Sequence, residues 1–277
     1  MIVDLCMWTL NGEKYLPLVF KRIDEVIPQN FVNKKILVDD GSIDKTVDIA
    51  KKFGWTVYDN LQGGYAGGFN EAVKHVETEF FCSFEQDVIL NRDWFKNIQH
   101  YMANKDVVVA QGIRLPSHRL LRAFYVQKLR EQPRRLMTSL DNNIYRTEKI
   151  REIGGFPSDS RFIADVYLLG KIIENGWRWV VDRNIVSIHI REGIKKQISH
   201  FHAAVFRRDF RHSLEDVDTG GLLQTFVSGL VRCYRIGFND GLPQVFVVYP
   251  YMSLMNLKLY LQLKIMKLKR PVLTEKY

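Results

Sequence analysis

Cysteine is scarce in this chain: Cys6, Cys82 and Cys233 are the only three in 277 residues. They stand far apart, with no CxxC pair and no Cys/His spacing, which argues against a zinc ribbon or finger. So sparse and odd a count also argues against a disulfide framework and fits a reducing compartment. Cys6 and Cys82 sit inside apolar, strand-like runs and are expected in the core. No secretory leader is expected, because the chain opens on a strand-like run, Ile2–Met7, without a basic segment followed by an apolar one. Long hydrophobic runs are missing too. The best, Gly241–Leu257, is uncharged over about 17 residues, the short limit for a membrane span, and Pro243 and Pro250 interrupt it. No internal repeat or low-complexity tract is present. The basic residues are scattered and no RNA- or DNA-binding module is visible, so nucleic acid is not an expected partner.

What is present is an ordinary apolar content of 46%, a generous 12% of aromatic residues and a formal charge of +9. The first two allow a large core, and the third favours anionic partners such as nucleotides, phospholipids or phospholipid-linked substrates. Hydrophobic spacing then gives an alternation of strands and helices. Strands are expected at Ile2–Met7, Lys35–Val38, Thr56–Tyr58, Phe80–Phe84 and Val107–Gln111. Helices are expected at Glu13–Val26, Thr46–Phe53, Phe69–Val76 and Trp94–Met102. Such a rhythm implies an α/β fold with a mostly parallel central sheet flanked by helices. Ligands of such sheets bind beyond the carboxyl ends of the strands.

The polar residues that follow the strands therefore matter most. Trp8-Thr9-Leu10-Asn11 follows the first and Asp39–Thr46 the second. Asn60–Asn70 follows the third and Glu85-Gln86-Asp87 the fourth. All four clusters should converge on one edge. In Asp39-Asp40-Gly41-Ser42 the adjacent carboxylates repel, and ligand hydroxyls or base N–H groups would offset that cost. A solvated turn, with Asp44 capping the next helix, is the simpler alternative. Glu85 and Asp87 can present oxygens to a hard divalent cation, or form a polar strand end with Asp93 as a cap. The glycines Gly63, Gly64, Gly67 and Gly68 let backbone approach a ligand before a helix N-terminus, or make a flexible loop; their spacing is neither a Rossmann fingerprint nor a P-loop.

The stretch 114–135 is basic and poorly periodic. A short strand, Asn143–Tyr145, and a helix, Thr147–Ile153, ended by Gly154-Gly155, follow it. A helix at Asp165–Asn175, ended by Gly176, precedes strands at Trp177–Val181 and Val186–Ile190. Asp165 could cap its helix or act as general base towards a hydroxyl. His189 could be a core histidine or a metal ligand.

These residues resemble family 2 glycosyltransferases of the GT-A fold. The resemblance rests on Trp8–Asn11, Asp39–Thr46, Glu85–Asp87, Asn143–Phe156 and Phe162–Trp177, and it ends near His189. The Asn60–Asn70 segment is similar to the rhamnosyl- and galactofuranosyltransferase subgroup. The resemblance implies an inverting transfer from a UDP-, dTDP- or GDP-linked sugar, with Mn²⁺ or Mg²⁺. Thr9, Asn11, Asp39, Asp40, Ser42, Gly64, Gly67, Asn70 and Glu85 would line the nucleotide-sugar site, and Asp87 and His189 would bind the metal. Asp165 would be the catalytic base, and Gly154, Gly155 and Phe156 would shape the acceptor side. Two departures stand out: Glu85 opens the usual Asp-x-Asp, and Ala164 replaces the acid usual before the base. A polyprenyl-phosphate sugar synthase and a catalytically silent sugar-nucleotide-binding scaffold are the alternative readings.

The implied organisation is a glycosyltransferase domain at 1–195, with a nucleotide half near 1–112 and an acceptor half near 113–195. A helical, basic and aromatic extension at 196–277 completes it. Leu254, Leu257, Leu261, Ile265 and Leu268 form one helical stripe rimmed by Lys258, Lys264 and Lys269. Upstream, Phe201, Phe206, Phe210, Phe226 and Tyr234 alternate with arginines. Such a surface suits anionic lipid, or else a packed subdomain or dimer face. A glycan or lipid-linked acceptor and a peripheral position on the cytoplasmic face of a membrane are the resulting expectations.

Overall fold

The computed structural model describes residues 1–131, 138–157, 164–190, 231 and 233–247, and four further positions, Leu254, Lys258, Leu261 and Ile265. The chain divides into two compact units, Met1–Ser117 with Arg134–Arg191, and His118–Pro133 with Glu192–Tyr277.

The first unit is an α/β fold of the GT-A type built on an open sheet. Its strands are β1 (Val3–Thr9), β2 (Val32–Asp39), β3 (Thr56–Asp59), β4 (Phe80–Glu85), β5 (Val88–Ile89), β6 (Val107–Pro116), β7 (Asn143–Arg146) and β8 (Arg178–His189). They lie in the order β3-β2-β1-β4-β7-β6-β8-β5. The pairs from β3 to β4 are parallel, as is β6 with β8, whereas β7 is antiparallel to both its neighbours and β5 is antiparallel to β8. The sheet is thus mixed, and parallel chiefly in its N-terminal half.

β1 shows why this half is buried on both faces. All seven of its residues are buried, as strands sandwiched between helices require. Val3, Leu5 and Met7 join one core and Cys6 and Trp8 the other, the two-residue alternation of an extended chain. The first core receives α1 (Leu16–Val26) through Leu16, Val19, Phe20, Ile23 and Val26, a single helical stripe. It also receives Trp94, Phe95 and Ile98 from α4 (Trp94–Ile98). The second core receives α3 (Gly64–Lys74), α6 (Thr147–Ile153) and α7 (Ala164–Glu174) through Phe69, Ala72, Ile150, Leu168 and Ile172. Between α1 and α3 in sequence, α2 (Thr46–Lys52) follows β2. Cys6 and Cys82 are buried free thiols, as expected.

Several expectations need correction. The helix expected to start at Phe69 starts at Gly64, so the glycine run is mostly helix rather than loop. A Cβ on Gly67 would lie 2.8 Å from the Asn60 side chain, and one on Gly68 would lie 2.6 Å from Trp8 Cβ. Gly68 lets α3 press onto the end of β1, and Gly67 lets it fold back onto the Asn60–Gln62 loop. The two strands expected at Trp177–Val181 and Val186–Ile190 are one, β8, whose pairing with β6 shifts register at Gly112/Ile113. A Cβ on Gly112 would meet the Ile185 carbonyl at 2.9 Å, so glycine is what allows the two strands to approach there. β6 runs on to Pro116 rather than stopping at Gln111. Asp93 occupies the N-cap of α4 but makes no side-chain capping bond.

In the second unit, the poorly periodic basic stretch contains a helix, α5 (Arg119–Glu131). Leu120 and Ala123 of α5 pack with Cys233, Ile236, Leu242 and Val245. Among the described residues no helix is long and apolar enough to cross a membrane. Most of the stretch from Lys195 on, including Phe201, Phe206, Phe210, Phe226, Leu257, Lys264, Leu268 and Lys269, lies outside the described residues, as do Pro250 and Phe162.

Candidate active site

The C-terminal ends of β1, β2 and β4 meet at one edge, as the strand order requires. Backbone bonds prolong the ladder there: Asp40 N donates to the Thr9 carbonyl at 2.9 Å and Asn60 N to the Asp39 carbonyl at 2.8 Å. The polar clusters of the first unit accordingly converge.

The adjacent acids are separated by different donors. Asp39 accepts from the Ser42 amide at 2.8 Å and from its hydroxyl at 2.6 Å. Asp40 turns to the next loop, accepting from Asn60 Nδ2 at 2.8 Å and from the Gly64 amide at 2.9 Å. It therefore occupies the positive N-terminus of α3, where an anion is favoured. The repulsion that suggested a ligand is offset by the chain's own donors. Gly64 spends its amide on Asp40, and Gly67 lies within α3 against Asn60. Asn11 and Ser42 clip the β1 and β2 loops together: the Asn11 amide donates to Ser42 Oγ at 2.8 Å, and Ile43 N donates to Asn11 Oδ1 at 2.9 Å. Asp44 accepts from the Thr46 amide at 2.9 Å, but the N-cap position of α2 is Lys45, so Asp44 stands one residue before the cap foreseen for it.

Gln86 fastens the end of β4 to the end of β1. Its Oε1 accepts from the Thr9 hydroxyl and, at 3.0 Å, from the Leu10 amide, while its Nε2 donates to the Leu10 carbonyl at 3.1 Å. Beyond this turn, β5 pairs antiparallel with β8, placing Val88 opposite His189. The pairing brings His189 Nε2 to 3.2 Å from Asp87 Oδ2 and 3.8 Å from Glu85 Oε2. Glu85, Asp87 and His189 can each turn a ligand atom within 4.8 Å of the others, and among the described residues this is the one such group of three. Two carboxylates and one imidazole suit Mn²⁺ well and Mg²⁺ through the carboxylates. The donor set therefore fits the divalent cation implied by the resemblance.

Glu85 has two further partners. Tyr65 Oη donates to its Oε1 at 3.0 Å, and Arg114 Nη1 lies 3.4 Å from its Oε2. Burial, and then the charge of Glu85, push the Tyr65 phenol well above its usual pKa, so its hydroxyl stays a donor. Arg114 also forms an ion pair with Asp141, which is fully buried.

Asp165 stands in the first turn of α7. Thr138 Oγ1 donates to its Oδ2 at 3.1 Å. Burial raises its pKa, against the opposing pull of the Thr138 bond, backbone amides and Arg114. Such a carboxylate is a stronger base than a solvated one.

The remaining residues foreseen for the site lie elsewhere. Asn70 clamps the Phe156 backbone, donating to its carbonyl at 2.9 Å and accepting from its amide at 2.8 Å. Phe156 is buried against Phe69 at 5.0 Å. Gly154 ends α6 in the left-handed region, at φ 82°, as an αL cap does. Gly154, Gly155 and Asn70 line a cleft of about 300 Å³ between α3 and α6, with Lys74 and Arg151. Tyr65, Gln86, Asn60, Arg114 and Asp141 had no role assigned from sequence.

The fold is shared with solved glycosyltransferases. Mannosyltransferase PcManGT from Pyrobaculum calidifontis, in complex with GDP-Man and Mn²⁺, aligns with a TM-score of 0.61 at 17% identity, over 96% of this chain and 87% of that one. S. aureus TarS 1-349 in complex with UDP aligns with a TM-score of 0.53 at 19% identity, over 69% of this chain; the chain spans 61% of the TarS fragment. Glucosyl-3-phosphoglycerate synthase from Mycobacterium tuberculosis, in complex with Mn²⁺, UDP and glucosyl-3-phosphoglycerate, aligns with a TM-score of 0.53 at 13% identity, over 72% of this chain and 75% of that one. No curated sequence matches. The family model of Glycosyl transferase family 2 matches residues 4–160, more than half of the chain and a span that holds Asp39, Asp40, Glu85 and Asp87, and the chain belongs to that family.

Proposed function

We propose that this protein transfers a sugar from a nucleoside-diphosphate donor to an acceptor hydroxyl, with inversion and with Mn²⁺ or Mg²⁺. The observation that carries the reading is the Glu85–Asp87–His189 group, placed at the same sheet edge as Asp39 and Asp40. That edge is acidic in a chain of net charge +9. A diphosphate would be repelled by it without a cation, so the acids make sense as a cation site that the donor shares. Asp87 and His189, with Glu85 beside them, would hold the cation. When bound, it neutralises the charge that develops on the departing nucleoside diphosphate.

Asp39 and Asp40, ordered by Ser42, Asn60 and Gly64, would accept hydrogen bonds from the base and ribose of UDP, dTDP or GDP. Asp165 would take the proton of the attacking hydroxyl, a role that its raised basicity favours. One displacement, with the hydroxyl attacking opposite the leaving diphosphate, inverts the anomeric carbon. Holding base, acceptor and donor in line supplies much of the acceleration.

A lipid-linked saccharide or surface glycan is the acceptor we favour, and the cytoplasmic face of an anionic membrane the location. Supporting this, Leu254, Lys258, Leu261 and Ile265 are helical and exposed at helical spacing, and Tyr234, Phe238 and Val247 of the same unit are exposed. Apolar groups among lysines suit an interfacial helix.

The deciding experiment is calorimetry with UDP-, dTDP- and GDP-sugars, with and without Mn²⁺. One donor binding only with metal, and lost in Asp87→Ala, is the expected result. Metal-independent binding, or binding that survives Asp87→Ala, would refute the cation site.

A further inference from the structure

Arg114 is a cation at the centre of an acidic site, and transfer chemistry as described gives it no task. It lies on the part of β6 beyond Gln111, where Arg114 pairs with Ser187 and Pro116 with His189. Its Nη1 lies 3.4 Å from Glu85 Oε2, and the same guanidinium is paired with Asp141. Asp141 is 0% exposed, whereas Glu85 and Arg114 keep 18% and 25% of their side-chain surface. The ion pair is thus anchored in the dry interior at one end and open to the site at the other.

Glu85 is gripped from two sides, by Tyr65 Oη at 3.0 Å on Oε1 and by Arg114 on Oε2. A glutamate has more rotamers to lose than the aspartate usual in this family's motif. Two partners on its two oxygens remove that freedom. Arg114 also keeps a fixed positive charge beside two acids that repel each other, before any divalent cation arrives. Arg114 Nη1 faces both carboxylates, Glu85 and Asp141, and an arginine suits this place because its charge is permanent and its guanidinium is planar and rigid. Its field reaches further, favouring the ionised form of Asp165 against burial.

We propose that Arg114 is a positioning residue for the donor site, fixed by Asp141 and fixing Glu85 against Tyr65 where the nucleotide sugar binds. The inference rests on the donor reading above. Its prediction is specific: loosening Arg114 weakens donor binding in a protein that is still folded.

Arg114→Met alone would leave Asp141 buried without its partner and is expected to fold poorly. Two other variants avoid this. Arg114→Lys keeps the charge but not the planar guanidinium, and the double variant Arg114→Met/Asp141→Asn removes both charges of the ion pair together. Each is compared with the unmodified protein by thermal unfolding and by calorimetry with the UDP-, dTDP- and GDP-sugars in Mn²⁺. The expected result is a cooperative unfolding transition in both variants, with donor affinity reduced about ten- to a hundredfold in the double variant and less in Arg114→Lys, the range typical of groups that orient a metal-site residue. A folded double variant with unreduced donor affinity would overturn the proposal, since a merely structural ion pair would change the melting temperature alone. If the unmodified protein binds no donor, the donor reading falls first and this inference falls with it.

Discussion

Replacing Gly68 by alanine tests whether the glycine run is packed helix or loop. In a helix interior alanine is favoured over glycine by about 0.8–1.0 kcal/mol, so an unconstrained Gly68 would gain stability. The structure denies it the space: the added Cβ would lie 2.6 Å from Trp8 Cβ. Trp8 Cβ is not the free end of a flexible chain. It sits on the central strand β1, and its ring is packed against Tyr65 at 5.2 Å and Phe69 at 5.4 Å. Overpacking of this kind costs about 1–3 kcal/mol, so after the propensity gain the net change should be a loss of up to about 2 kcal/mol. Gly170 is the control. It lies within α7, and an added Cβ there meets nothing within 4 Å. Gly170→Ala should therefore gain up to about 1 kcal/mol. At about 2–4 °C per kcal/mol for a chain approaching this size, thermal unfolding followed by circular dichroism separates the two. Gly68→Ala should melt lower than the unmodified protein and Gly170→Ala higher. A rise in both would refute the close approach of α3 to β1.

Asp165→Asn should lower kcat by about 10²–10⁴-fold, the usual worth of a positioned base, measured as donor-dependent product release. Burial raises the folded-state pKa of Asp165, so the ionised carboxylate burdens the fold above that pKa and the burden lifts as pH falls through it. Asp165→Asn should therefore melt no lower than the unmodified protein at neutral pH, and a lower melting point would show a structural role instead. The same shift puts the acid limb of the kcat/KM profile above the ordinary aspartate range, and a limb at or below that range would exclude Asp165 as the base. His189→Ala should weaken Mn²⁺ binding by about tenfold or more, read by calorimetry in the presence of nucleoside diphosphate; unchanged affinity would remove His189 from the cation site. Flotation with anionic liposomes should carry the full chain upward and leave a form truncated before Leu254 behind, and equal flotation of both would refute a lipid-binding tail.

The strand ends were legible in the sequence because buried parallel strands are continuous apolar runs. Lys35–Val38 and Phe80–Phe84 read as strands without knowledge of their neighbours. The acids that follow them were legible for the same reason. The parts that were not legible depend on partners distant in sequence. The glycine run reads as loop by propensity, yet it is helix because Trp8, some 60 residues earlier, requires small residues opposite it. β6 was cut short at Gln111 because Gly112 and Arg114 break the apolar run, while Ile185 and Asp141 make both residues necessary. Asn70 and Phe156 carry family-like positions, but their hydrogen bonds are to each other. The frame role of Asn70 and Phe156 was not legible, because it depends on a hydrogen-bonded partner 86 residues away.

Hydrogen-bonded partners also order the acids of the site. Asp39 is satisfied by Ser42 of its own loop and Asp40 by Asn60 and Gly64 of the next, so their oxygens are ordered before any ligand arrives. Glu85 is ordered by Tyr65 and Arg114, and Tyr65 is carried by α3, whose position depends on Gly67 and Gly68. Asp87 and His189 are brought together from strands that pair only at the sheet's edge, 102 residues apart in sequence. The close packing of α3 and the pairing of β5 with β8 therefore converge on one place, where Glu85, Asp87 and His189 lie within a cation's reach of one another. On the function proposed above, such preorganisation would serve electrostatic catalysis, because groups already in place need not reorganise as charge develops on a leaving diphosphate. A perturbation of Gly68 should on this account reach Glu85 through Trp8 and Tyr65, and weaken donor binding as well as the fold.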